Sequence, residues 1–162
     1  PKLRENFIES VFAYDRWRKL RRRPSIGKLV EFHARHKMQL LAHSEKHMRQ
    51  LGKLVAAAKS MTPAQACDEY GQLFMEAMRI QSTVRKNVNV LQHIAGFFKT
   101  QLEPSEREEL HQAIGDYHQG LVPLIAPLTL LRYFVRRFAV DYLAPQTYLS
   151  PHPKELMLRN HV

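Results

Sequence analysis

With 162 residues, 44% hydrophobic and 25% charged, the chain has the size and make-up of one ordinary globular domain, which excludes an intrinsically disordered polymer. A formal net charge of +10 is far from ordinary and favours a polyanionic partner, either nucleic acid or an acidic membrane surface. A lone cysteine, Cys67, excludes an internal disulfide, and an iron–sulfur cluster or zinc ribbon held by this chain by itself, and it fits a reducing cytoplasm.

In chain order, the segment "FIESVFAYDRWRKL" reads as an amphipathic helix, with Phe7, Ile8, Val11, Phe12 and Tyr14 at helical spacing. It runs into a basic stretch, Arg16, Arg18, Lys19, Arg21, Arg22 and Arg23, and stops before Pro24. Ser25 is the expected N-cap of a second helix reaching about Ala42, and Ser44 caps a continuation ending near Lys59. "TPAQ" at 62–65 announces a further helix, with Thr62 as cap, Pro63 at the first helical position and Gln65 closing the box. Its buried stripe is Ala66, Tyr70, Leu73, Phe74 and Ala77. The next helix repeats the logic with Val88, Leu91, Ala95, Phe98 and Leu102.

"SERE" at 105–108 reads as another capping box, leading to Leu110, Ile114 and Tyr117, with Gly120 as the stop. Leu124, Leu128, Leu131 and Val135 mark the last substantial helix, with Pro127 in its first turn or at a kink. Beyond Asp141, three prolines break the chain into short turns. The expectation is an all-α, single-domain bundle of about six helices over 1–162, comprising a basic lead-in over 1–24, a core over 25–162 and an irregular Pro-containing tail. The longest apolar run, "LVPLIAPLTLL" at 121–131, is too short to span a bilayer, and the chain reads as soluble.

Three features bear on chemistry. The run "FHARHKMQLLAHSEKH" at 32–47 puts His33, His36, His43 and His47 on a stripe with Leu40 and Leu51, beside Lys37. His43 and His47 have the i, i+4 spacing of two metal ligands, but no third ligand or general base accompanies them, and Lys46 opposes a cation. Nucleophile elbows and Gly-rich phosphate loops are absent, so catalysis by this chain alone is not expected. The alternatives left are a phosphate-contacting face and interhelical hydrogen bonding. The second feature is "VRKNVNVLQHIAGFFK", which sets Lys86, Asn89, His93 and Phe97 on one helical face as possible contacts to RNA phosphates, sugars and unstacked bases. The third is the basic stretch, where Arg18, Arg21, Arg22 and Arg23 offer the Coulombic attraction.

Four blocks, "FHARHKMQLLAHS", "NVLQHIAGFFK", "GLVPLIAPLTLLRYF" and "YLAPQTYLSPHPKELMLRN", resemble in order and spacing the YbgA-like domain family, from about Ser25 to Asn160. Positions matching the family are His33, Lys37, His43 and Ser44, then Asn89, His93, Gly96 and Lys99, then Gln146, Tyr148, Pro153 and Arg159. Phe97-Phe98 departs from an aromatic pair that more usually contains tyrosine. In this family the domain occurs alone or fused behind a desulfidase-like domain carrying an iron–sulfur cluster. The opening "LRENFIESVFAYDRW" looks like the start of the fused form, so the chain reads as part of a longer protein.

The resemblance implies a tRNA-binding accessory domain that presents thiolated tRNA, bearing 4-thiouridine, to that desulfidase. No cofactor is expected in this chain itself. The expected partners are tRNA and the catalytic domain, with no membrane, in the cytoplasm. The candidate nucleic-acid contacts are Arg18, Arg21, Arg22, Arg23, His33, Lys37, His43, Lys86, Asn89 and His93, joined by Lys99 and Arg159 on the resemblance. The competing readings are a DNA- or protein-interaction module linked to repair, and a small metal-dependent enzyme using the histidines.

Overall fold

The computed structural model describes residues 2–161. Among the described residues there are seven α-helices, two short 3-10 turns and no strand, so the chain is all-α. The helices are α1 (Lys2–Arg22), α2 (Ile26–His43), α3 (Glu45–Ala57), α4 (Pro63–Arg79), α5 (Val84–Gly96), α6 (Pro104–His118) and α7 (Ile125–Arg137). They fall into two compact units. The first holds the residues up to Ser82 together with Gln146–His152, and the second holds Thr83–Pro145 with the residues from Pro153 onward.

Local signals set most boundaries in the first unit. Ser25 caps α2, its hydroxyl accepting from the Lys28 backbone N–H. Ser44 has an extended backbone, so it ends α2 and begins α3, where its Oγ accepts from the His47 N–H. Thr62 and Gln65 form a reciprocal capping box at the start of α4, with Pro63 inside it.

The core of this unit gathers Leu29, Phe32, Leu40, Leu51, Tyr70, Phe74 and Met78, with Phe32 edge-on to both Tyr70 and Phe74. α1 lies on α4 by a different face from the one its apolar periodicity suggests. Leu3, Phe7, Val11 and Tyr14 are exposed, while Ala13 and Leu20 are buried and Asn6 and Ser10 both donate to the Met78 carbonyl. The reason is Trp17, whose Nε1–H donates to the Cys67 carbonyl while its ring covers Gly71, where a Cβ would overlap the indole. A small residue on α4 therefore selects the face of α1.

In the second unit, α5, α6 and α7 surround Leu91, Ile94, Phe98, Leu110, Ile114, Leu128, Leu131 and Phe134. α6 begins at Pro104, so its box is Glu103 with Glu106 and not Ser105 with Glu108. Pro104 has no N–H to lose at the first helical position, which moves the cap one residue upstream of it. The helix ends in a Schellman turn: Leu121 N–H bonds Asp116 O, Gly120 N–H bonds Tyr117 O, and Gly120 has φ 77°. Pro127 lies in the first turn of α7, where it breaks no helical hydrogen bond.

Candidate nucleic-acid interface

The histidines of α2 and α3 are built into the first unit as hydrogen-bonding parts. His36 donates from Nδ1 to the Phe32 carbonyl at 2.7 Å and accepts at Nε2 from Arg16 Nε at 2.9 Å. That arrangement fixes one neutral tautomer, because a second ring proton would point at the guanidinium. Burial, then the Arg16 charge, pushes its pKa down to about 3. Arg16 itself turns inward: it also donates to the Pro151 carbonyl and, at 3.4 Å, to Gln39 Oε1, tying the 146–152 segment to α1 and α2. Gln146 does the same for α2, donating to Ala34 O and accepting from the Met38 N–H.

His33 shares a hydrogen bond of 3.0 Å with the buried Tyr70 hydroxyl, and burial with the nearby Lys37 charge lowers its pKa to about 4. Burial pushes the Tyr70 hydroxyl up, so it stays protonated. His43 is wholly buried, with the Ile80 carbonyl at Nδ1 and the Glu9 carboxylate at Nε2, 2.9 Å away. His47 completes the series by bonding Ser44 Oγ, with Glu76 3.8 Å from its far nitrogen. Among the described residues no three His, Cys, Asp or Glu side chains converge as a metal would require. Cys67 is buried and its thiol pKa is raised by desolvation, the opposite of an activated nucleophile.

The lysines and arginines of this unit behave differently. Arg18 and Lys19 both reach Asp15, and Arg21 forks onto Asp68 through Nε and Nη2. Arg22 and Arg23 at the end of α1, Lys28 and Lys37 on α2, and Lys53 on α3 are exposed and form no ion pair among the described residues. Of the predicted contacts, therefore, Arg18, Arg21, Arg22, Arg23 and Lys37 lie outside, His33 is half-buried, and His43 lies inside.

In the second unit, Thr83 caps α5 through the Lys86 N–H. Asn89 and His93 are exposed one turn apart on that helix, and Lys86 is half-exposed. Lys99 is exposed just beyond its C-terminus, whereas Arg159 is buried, with φ 69° and its carbonyl accepting from the Ile125 N–H.

Sequence reasoning missed what sits beside them. A groove of about 190 Å³ opens between α5 and α6, floored by Leu102, Leu110 and Ile114 and rimmed by Lys99, Arg107 and His111. Arg107 Nη2 donates to the carbonyls of Lys99 and Leu102, which fixes the guanidinium at the rim. Next to Gly96, Phe97 stacks on Tyr142 with ring centroids 5.5 Å apart and planes 15° apart, both rings about two-fifths exposed. The signal for the groove was the single cation Arg107 within the acidic stretch 101–120.

A family model described as "Protein of unknown function (DUF1722)" matches residues 37–153. The "Uncharacterized protein YbgA" of Escherichia coli (strain K12) is 30% identical over 138 residues, covering 83% of this chain and 80% of that protein. No solved structure matches.

Proposed function

The chain belongs to the DUF1722 family, and we propose that it works as a helical tRNA-binding module without catalytic chemistry of its own. One observation carries this reading: in the first unit the imidazoles of α2 and α3 and Arg16 are tied into the fold, while the other lysines and arginines face outward. That unit contains 16 Lys and Arg against 8 Asp and Glu, while the second unit contains 9 against 7. Phosphate neutralisation by such a surface is the dominant, sequence-independent part of nucleic-acid affinity.

The hydrogen-bonded histidines of α2 and α3 and the buried Cys67 thiol are engaged within the unit. They serve the packing that holds α1, α2 and α4 in place. On the family resemblance, the module presents tRNA carrying 4-thiouridine to a desulfidase domain, which holds the iron–sulfur cluster. The contacts assigned to tRNA are Arg22, Arg23 and Lys37 in the first unit, with Arg18 and Arg21 exchanging their carboxylates for phosphate. Asn89, His93 and Lys99 add contacts from the second.

A gel-shift titration with thiolated and unmodified tRNA at two salt concentrations tests the reading. Submicromolar to micromolar binding that weakens with salt supports it; no binding at low salt, or a preference for duplex DNA, removes it.

A further inference from the structure

We infer that the α5–α6 groove is a site for one unpaired nucleotide of a bound RNA; this rests on the RNA-binding reading and names what that surface selects. The groove, about 190 Å³, is smaller than the ~300–1,000 Å³ that encloses a drug-sized ligand and suits a single planar ring. Its floor of Leu102, Leu110 and Ile114 is apolar, as the face of a base requires, and no carboxylate lines it. Its rim is cationic. Arg107 is already oriented by two carbonyl contacts through Nη2, which leaves Nε and Nη1 free of protein acceptors among the described residues and available to a phosphate. Lys99 adds a second exposed cation, in the turn just beyond the C-terminus of α5.

Two further features match an unpaired strand and not a duplex. Gly96 leaves the groove unobstructed, since a Cβ there meets nothing within 4 Å. The adjoining Phe97–Tyr142 pair presents stacked, partly exposed rings to a neighbouring base. Duplex bases are already stacked on each other, so neither feature would serve a helix. Unstacked bases laid on aromatic rings, with cations following the backbone, are the usual means of single-strand recognition.

Fluorescence anisotropy of the whole chain with a short labelled single-stranded RNA, and with the same strand annealed to its complement, tests this. The unmodified protein is expected to prefer the single strand. Gly96→Leu fills the groove at a position with helical geometry and open space, and Phe97→Ala removes one exposed ring. Each is expected to weaken single-strand binding by about 5- to 150-fold, the range for loss of a stacked base, with little effect on the duplex. Replacing Arg22 and Arg23 by alanine should weaken both RNAs alike. Equal binding of the two RNAs by the unmodified protein, or an undiminished preference in both Gly96→Leu and Phe97→Ala, overturns the inference while leaving the RNA-binding reading intact. If neither RNA nor tRNA binds the unmodified protein, the RNA-binding reading falls first.

Discussion

Arg16 donates from Nε to Nε2 of His36 across 2.9 Å, so a half-buried cation is held by an imidazole that must remain neutral. The consequence is a defined acid sensitivity. His36 titrates at about 3 and His33 at about 4 in the folded chain, against about 6.5 once unfolded. Between those values the unfolded chain binds more protons. The contribution of these two imidazoles to stability therefore stays level above about pH 7.5, falls as pH drops through 6.5, and goes on falling until His33 and then His36 protonate. The slope approaches ~1.4 kcal/mol per pH unit for each imidazole. Urea melts between pH 7.5 and 4.5 measure it. His36→Gln should cost about 1–3 kcal/mol at pH 7.5 and flatten the acid arm. An acid arm of unchanged steepness in that variant would contradict the assignment.

Gly71 is the second sensitive point, because the Trp17 ring occupies the space a Cβ would need. Gly71→Ala should destabilise the first unit by about 1–3 kcal/mol. Trp17 is the chain's single tryptophan, so its emission should move to longer wavelength as the indole is lifted from α4. Unchanged emission and melting would show that α1 is not seated by this contact.

Two other glycines should respond in opposite directions to alanine. Gly120, with φ 77° in its Schellman turn, should lose about 1 kcal/mol as Gly120→Ala. Gly96, helical and unobstructed, should gain about 0.5–1 kcal/mol as Gly96→Ala. Denaturant midpoints of the two variants, compared in one series, decide the matter.

Much of the fold was legible because its signals are local. Ser25, Ser44 and the Thr62-Pro63-Gln65 start act within one turn, and the stripes of α4 and α7 follow from spacing alone, whereas the stripe read for α5 overran it: Val88 and Leu91 lie on the helix, but Phe98 and Leu102 are buried from the turns beyond Gly96. What could not be read depends on partners distant in sequence. The face α1 buries is chosen by Gly71, not by its own apolar residues Phe7, Val11 and Tyr14. His36 and His43 look alike in sequence, yet one is fixed by Arg16 and the other by Glu9 and the Ile80 carbonyl. Nothing local signals that Arg16 points inward while Arg22 and Arg23 point out. The candidate site divides in the same way: its cations were visible as composition, but the groove is lined by residues of α5, of α6 and of the turns between them, with Arg107 of α6 held by the Lys99 and Leu102 carbonyls.

Electrostatics of the outer surface should be separable residue by residue. Arg21 is engaged by Asp68, so Arg21→Ala should weaken tRNA binding less than Arg22→Ala or Arg23→Ala does. The Arg22→Ala, Arg23→Ala pair should reduce the salt slope by about two, roughly one per lost phosphate contact, and uniformly across tRNAs. Equal losses at all three arginines would show that the Asp68 pair does not compete with phosphate.

The most direct measurement is the affinity of the whole chain for tRNA as a function of salt, with duplex DNA as competitor. The account predicts a linear fall of log K with log salt, a slope set by several phosphate contacts, and displacement by tRNA in preference to DNA. Binding that is absent at low salt, insensitive to salt, or stronger for the DNA would contradict it.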